Sequence, residues 1–433
     1  MDSTCESVSE PSIDLVGGPF AVIESDPGVF SSLSRGLGVE RVEVVELYDI
    51  EPWAVDHLDP HGLIFCFTWH KDAHRPTDFE DPTAERVWFA NQLSDDACAT
   101  HAILNVLFNC PDIQLGTELE TFRNETQEFS PVMRGLAITN SPLLRRVHNS
   151  LARPADIRTS LNSIATDTLN SKKKDSQPSG RKSRTAKSSR ATKVEEGPET
   201  EDAPTYHFIG YVPAFGKVWE LDGLKSGPLE VGELASDTNR NDWMDVVRPA
   251  LRIKMAKYGG SGLEGGEIRF SLLAVASDAL MKLTDELEFL KIDKGKLESH
   301  MGKGWEQKVD PTLLRESETI LEYPVLDGYQ HPPGFAAKRM LRDLEFSEMS
   351  QDELKSTWQT VIRNAIQSKS ALQDEVMRRT QEDTDHVKRT FDYEPFIKGF
   401  VTELHNQGLL NPILNLDDNG RKKKRSPSKK QKP

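Results

Sequence analysis

NQLSDDACATHAILNVLFNC, residues 91–110, sets a glutamine six residues ahead of a cysteine and runs that cysteine straight into an amphipathic pattern. Ile103, Val106, Leu107 and Cys110 recur at i, i+3, i+4 and i+7, so a helix is predicted after Ala97. Ser94, Asp95 and Asp96 are good capping residues just upstream. Cys98 is therefore expected in or near the first turn of a core helix. Unpaired N–H groups and the positive end of a helix dipole favour the thiolate that nucleophilic chemistry needs. A helix-start cysteine is equally a small buried hydrophobe, so the chemical reading depends on a base elsewhere in the chain.

The chain has 433 residues, more than one ordinary core holds, so a main domain of about 200–250 residues with an appended region is expected. No stretch approaches the roughly 18–20 consecutive apolar residues of a membrane span. The opening MDSTCESVSEPSIDLVGG has neither a basic start nor a long apolar run, so no signal peptide and an intracellular location are expected. Cys5, Cys66, Cys98 and Cys110 form no CxxC pair and no Cys/His cluster at zinc spacing. That spacing argues against a metal site or a disulfide framework and for reduced thiols.

Net charge is −15, unevenly spread. Lys172–Lys193 carries nine Lys/Arg against one Asp, and Arg421–Pro433 carries eight with no acid. Setting these aside from 54 basic and 69 acidic residues leaves 37 and 68, a net of −31. So acidic a body suits a basic protein partner, and the basic segments suit nuclear import or nucleic acid.

Upstream of the opening stretch, Asp26 before Pro27 is a helix start, with Val29, Phe30, Leu33 and Leu37 as its apolar face. VEVVELYDI (42–50) and HGLIFCFTW (61–69) read as strands, the second apolar enough to be central. After further helical patterns to about residue 152, the chain turns rich in Lys, Arg, Ser, Thr and Pro without periodicity, the mark of a disordered loop. YHFIGYV (206–212), KVWELDG (217–223) and EIRFSLLAVAS (267–277) are strand-like, with a helix across NDWMDVVRPALRIKMAKY (241–258). This alternation gives an α/β or α+β first domain. Beyond Ser277, Leu280, Leu283, Leu287, Leu290 and Leu297 lie close to a heptad seam with Lys294 at one position. A second long helix is predicted across Gln351–Lys388, with residues 300–347 an irregular insertion. The seam reads first as intramolecular packing, and the polarity of these helices keeps a partner open.

A cysteine nucleophile needs a base held by a third group. His101, three residues along the same helix, reads as a helix-surface histidine, since nothing near it in sequence would orient its ring. His207 has better support. YHFIGYV-PAFG-KVWELDG reads as a hairpin turning on Pro213–Gly216. Pairing Val212 with Lys217 sets His207 opposite Asp222, with Cβ atoms about 4.5–5.5 Å apart on one face. A one-residue bulge would undo that register, and such a pair is as readily a cross-strand polar contact. Together with Cys98 it completes a Cys-His-Asp triad, and Gln92 then becomes an oxyanion donor beside the Cys98 backbone N–H.

These residues resemble the ubiquitin carboxyl-terminal hydrolases, papain-like cysteine peptidases. The resemblance is carried by N-Q-x(5)-C-A-T-x-A-I-x-x-V-L-x-N-C at 91–110, Tyr206-His207-Phe208 and Leu221-Asp222-Gly223. ESDPGVF (24–30), HGLIFCFTW, RGLAITNS (134–141), VHNS (147–150) and NDWMDVVRP (241–249) add to it, over about residues 18–276. RTFDYEPFIKGFVTELHNQGLLNPIL (389–414) resembles the terminal helical domain of the larger, proteasome- and chromatin-associated members. The resemblance implies an α+β fold: a central antiparallel sheet flanked by helices, then an α-helical C-terminal extension. It implies Cys98 as nucleophile, His207 as base and later acid, Asp222 as orienter of His207 and Gln92 as oxyanion donor. No cofactor or metal is implied. Ubiquitin is the implied substrate, with thiol-dependent hydrolysis of the bond at its C-terminal glycine in protein catabolism or chromatin regulation.

The implied organisation is a disordered N-terminus (1–18), a catalytic domain (19–276) with a disordered basic crossover loop (150–205), and a helical extension (277–388) with its insertion at 300–347. An adaptor-binding helical domain (389–416) and a disordered polybasic tail (417–433) follow. Tyr393, Phe396 and Ile397 are the implied contacts to an adaptor of the proteasome or of a chromatin complex, and the tail suits nonspecific nucleic-acid or nucleosome contact. Nucleus and cytoplasm are the expected locations, with no membrane partner. A long, polar crossover loop implies tolerance of bulky leaving groups. The family commonly has amide residues where this chain has Asp95 and Asp96, and residues 300–347 match no family segment. The alternative function is a ubiquitin-binding scaffold of low turnover, recruited by its C-terminal helices.

Overall fold

The computed structural model describes residues 19–68, 81–175, 206–235, 243–258, 270–323, 329–414 and 416. The expectations for 1–18 and 417–433, and for the crossover loop beyond Asp175, lie outside the described residues.

Asp26 starts α1 (Pro27–Gly36) as expected: its Oδ1 accepts from the N–H groups of Gly28 and Val29, at 2.8 and 3.2 Å, and Pro27 takes the first helical position. The strands are β1 (Val42–Glu46), β2 (Gly62–Thr68), β3 (Tyr206–Ala214), β4 (Lys217–Leu221), β5 (Leu229–Glu233) and β6 (Phe270–Ser277). They form one antiparallel sheet of order β1-β6-β2-β3-β4-β5. The remaining helices of the first domain are α2 (Pro52–Val55), α3 (Cys98–Leu107), α4 (Thr117–Thr126), α5 (Pro131–Asn140), α6 (Pro142–Ser150), α7 (Pro154–Asp175) and α8 (Trp243–Tyr258). The fold is α+β.

The unbroken apolar run of β2 has a simple cause: both faces of the sheet are covered. Leu63, Phe65 and Phe67 pack with Trp243, Val247 and Leu251 of α8. Ile64 and Cys66 point the other way, into a core with Phe30 and Leu33 of α1 and Ile103 and Val106 of α3. Two glycines let α3 lie against the sheet. A Cβ on Gly62 would sit 2.6 Å from Val106 Cγ1, and one on Gly210 would sit 2.9 Å from Val106 Cγ2. The helix that begins at Cys98 is thus seated on β2 and β3.

The extension comprises α9 (Ala279–Met301), α10 (Pro311–Ser317), α11 (Phe335–Glu348), α12 (Gln351–Thr390), α13 (Glu394–Asn406) and α14 (Leu410–Ile413). The leucine seam is intramolecular: Leu280, Leu287, Leu290 and Leu297 pack with Leu354, Trp358, Val361 and Ile362 of α12. Asp293 is the buried residue at the turn where Lys294 was expected, and it accepts from Arg342 Nε at 3.2 Å. α12 begins with a capping box between Ser350 and Glu353. Ion pairs fasten the extension to the first domain, among them Arg41–Asp285 at 2.6 Å, Arg378–Glu43 at 2.7 Å and Arg389–Glu24 at 3.1 Å. Among the described residues no helix is long and apolar enough to cross a membrane.

Three expectations about the fold need correction, and one strand had no expectation. The segment read as loop from residue 150 opens with helix α7. The stretch 300–347 contains α10 and α11, and Leu313, Phe335 and Phe346 are buried in them. The edge strand β5 was not foreseen. Finally, the β3–β4 register is Ala214↔Lys217 through Gly210↔Leu221, two residues from the one expected. The turn consists of Phe215 and Gly216, both at positive φ (54° and 78°), the two-residue geometry that matches strand twist.

Candidate active site

A short 3-10 turn, Asp95–Ala97, leads directly into α3, whose first residue is the half-buried Cys98. Ala97 occupies the N-cap position of α3, and Ser94 makes no side-chain capping bond at the turn, so the expected capping by Ser94 is not the arrangement seen. Asp96 is half-buried in that turn, and the side chain of Asp95 lies outside the described residues. The first-turn N–H groups and dipole of α3 still point at Cys98 and favour its thiolate. Neighbouring Cys66 on β2 has its thiol pushed up to about 12, first by burial and then by the Cys98 sulfur beside it. Cys66 pairs across strands with Phe208.

His207 is buried on β3, its ring edge against Phe67, with centroids 5.7 Å apart. Its Nε2 donates to Asp222 Oδ1 at 2.7 Å. Continuing the observed ladder by one pair would set Asp222 opposite Ile209, so His207 and Asp222 meet as diagonal neighbours. A register error of two residues preserves the face on which a side chain lies, and the long ring bridges the diagonal. Burial pushes the Asp222 carboxyl up, but the His207 hydrogen bond and charge, the Leu224 N–H and Lys225 together hold it below its ordinary value. With Nε2 committed to Asp222, Nδ1 is the nitrogen left to exchange a proton.

Gln92 ends an extended segment outside any regular element, and its backbone N–H donates to Gly223 O at 2.9 Å. The Asn91 N–H donates to Pro131 O at 3.0 Å, and side chains meet further backbone groups of the segment. Asn109 takes the Trp88 N–H (2.9 Å) and gives to Trp88 O (2.8 Å). Asn105 does the same for Ala90, at 2.9 and 3.3 Å. Arg134 donates to Phe89 O at 3.3 Å. Helix α3 and the residues just past its end thus present both the cysteine and a ladder of amides. The sequence reading missed Asn91 and Asn105. The available signal was Asn105 and Asn109 at i, i+4 among apolar helix residues, where an unpartnered amide is costly.

His101 is buried, not on the surface. Its Nδ1 donates to Ala97 O at 3.0 Å, its Nε2 has no partner, and burial pushes its pKa down to about 4. His148 is likewise pushed down to about 4 by burial, with Nδ1 accepting from Thr100 and Nε2 donating to Ala21 O, each at 2.7 Å. Neither suits a base that cycles near neutrality. Tyr393, Phe396 and Ile397 sit at the start of α13 and are exposed, and α13 buries no residue.

The family model for ubiquitin carboxyl-terminal hydrolase, family 1, matches residues 20–256, more than half of the chain. The chain belongs to this family. As a member it is a cysteine-type ubiquitin carboxyl-terminal hydrolase. It is similar to "Ubiquitin carboxyl-terminal hydrolase isozyme L5" of Dictyostelium discoideum, 36% identical over 280 residues, covering 64% of this chain and 68% of the relative. Similarity to "Ubiquitin carboxyl-terminal hydrolase calypso" of Drosophila virilis is 29% over 406 residues, 90% of this chain and 75% of the relative. A solved structure of the Trichinella spiralis UCH37 catalytic domain bound to ubiquitin vinyl methyl ester is 31% identical, covering 60% of this hydrolase and 97% of that chain, with a TM-score of 0.43.

Proposed function

We propose that this hydrolase works through Cys98, His207, Asp222 and Gln92, and the observation that carries the reading is the buried 2.7 Å bond between His207 and Asp222. The Cys98 thiolate attacks the carbonyl carbon at the C-terminal glycine of ubiquitin. Gln92 and the Cys98 backbone N–H hold the oxygen that becomes negative. The C–N bond breaks as His207 protonates the departing amine. His207 then takes a proton from water, the hydroxide attacks the thioester, and free ubiquitin leaves with the thiol regenerated. A ubiquitin probe with a thiol-reactive C-terminus tests this: the wild type forms an adduct and Cys98→Ala does not. An adduct that persists in Cys98→Ala overturns the assignment.

Recruitment belongs to the same proposal. The exposed Tyr393, Phe396 and Ile397 support a docking face on α13 for an adaptor of the proteasome or of a chromatin complex, in nucleus and cytoplasm. Segment 150–205 is proposed to admit bulky leaving groups. Deleting Lys172–Lys193 tests it: loss of selective access to ubiquitin chains over small adducts supports gating, and unchanged cleavage of both removes it.

A further inference from the structure

Gln92 can hold an oxyanion only if its backbone is fixed relative to the triad, and one side chain does this from the flank. Asn91 Nδ2 donates to Lys225 O at 2.6 Å and to Gly223 O at 3.2 Å. Only an NH₂ group can serve two carbonyls, so the amide's orientation is settled by its partners. Those carbonyls belong to the turn that follows Asp222, which is closed by the Lys225 N–H to Asp222 O at 2.9 Å. The Gln92 N–H meets the same Gly223 carbonyl at 2.9 Å. The approach is close: a Cβ on Gly223 would lie 3.0 Å from Gln92 Cβ and 3.1 Å from Gln92 N. On the other side, Asn105 grips both backbone groups of Ala90. Residues 90–92 are thus held between an amide from the nucleophile's helix and an amide reaching the orienter's turn.

We propose that Asn91 is a positioning residue for the oxyanion hole, acting through Gln92. It locks the donor segment to the Asp222 turn and leaves the thiolate–imidazole pair alone. The proposal rests on the reading of Gln92 as oxyanion donor. An aspartate at this position keeps the shape, loses both donors and faces two carbonyls with a carboxylate.

Two reactions of Cys98 separate the roles. Hydrolysis of a fluorogenic amide on the ubiquitin C-terminus develops an oxyanion. Alkylation by iodoacetamide does not: a sulfur–carbon bond forms as iodide leaves, and the rate reports only the thiolate and its base. In the full-length chain, Asn91→Asp and the smaller Asn91→Ala are expected to lower kcat by about 10-fold, short of the roughly 10²–10³-fold cost of removing an oxyanion donor in Gln92→Ala. KM and the rate and pH midpoint of alkylation stay at wild-type values. Added to Gln92→Ala, Asn91→Asp costs nothing further, since the residue acts only through Gln92. An unchanged kcat, a shifted alkylation midpoint, or fully additive losses overturn the proposal. A Gln92→Ala enzyme with wild-type kcat overturns instead the reading of Gln92 on which it rests.

Discussion

His207 is 2% exposed and Phe396 is 72% exposed, the reverse of what their polarities give in an ordinary soluble domain. The catalytic sheet takes polar groups inside and the last helices leave apolar groups outside. Inside, partners make the burial tolerable: His207 has Asp222, Asp222 also has the Leu224 N–H, and Asn105 has both groups of Ala90. Low polarity around such a pair strengthens each hydrogen bond and fixes its geometry. Outside, Phe396 and Phe400 stack on each other at 6.3 Å, while Tyr393, Ile397 and Phe400 stay exposed. Chemistry asks for polar groups withdrawn from water, and docking asks for apolar groups left in it.

The sharpest way to break this comparison is at the triad. Cys98→Ala should abolish turnover, and Asp222→Asn should lower kcat by about 10²–10⁴-fold, because the imidazolium loses its counter-charge. Steady-state hydrolysis of a ubiquitin C-terminal amide reads both, and an Asp222→Asn enzyme within twofold of wild type would remove the orienter role. On α13 the pattern should invert. Phe396→Ala with Ile397→Ala should leave kcat within about twofold while weakening adaptor capture by about tenfold or more, the loss of one or two apolar anchors. Equal capture by wild type and double variant would show that the exposed face is not the docking face.

Much of this was legible because the physics was local or enforced by parity. The run GLIFCF declared a central strand, since only a strand covered on both faces can be apolar at every position. His207 and Asp222 were placed together by a wrong register that erred by an even number. What escaped was punctuation and tertiary partnership. Residues 300–347 were read as an irregular insertion, yet Asp310-Pro311 and Gly334 within them are the starts of α10 and α11. His101 was read as surface because nothing near it in sequence would orient its ring, whereas every residue from Ala99 to Leu107 is buried. Asn91 escaped because its partners, Gly223 and Lys225, lie more than 130 residues away.

Alanine in place of glycine sharpens the contrast at smaller scale. At Gly210 the new Cβ meets Val106 Cγ2 at 2.9 Å, and α3 must lift from the sheet, so Gly210→Ala should cost about 1–3 kcal/mol and lower kcat with it. At Gly399, inside α13, nothing lies within 4 Å. Gly399→Ala should stabilise that helix by about 0.5–1 kcal/mol through backbone entropy and leave kcat unchanged. Denaturant unfolding and helical content read both. Equal effects at the two sites would mean that α3 is not seated as tightly as its glycines indicate.

Acid separates the regions by a still smaller margin. His101 and His148 have pKa values pushed down to about 4 by burial, from ordinary values of 6.5. As pH falls below 6.5 the unfolded chain takes up protons that the folded one refuses. Stability is therefore full above that pH and is lost between 6.5 and 4, at up to about 1.4 kcal/mol per pH unit for each histidine. Asp222 works in a lower window: its carboxyl is held below 3.8, so its contribution is full above that pH and is lost as pH falls from 3.8 through the folded value. His101→Gln removes a ring whose Nε2 has no partner to accept a proton's charge. Its stability should fall less steeply from pH 6.5 to 5, by about 1 kcal/mol per unit, while Phe396→Ala keeps the wild-type slope. Chemical denaturation across that range measures both slopes, and a His101→Gln slope equal to wild type would mean that His101 is already protonated within its core.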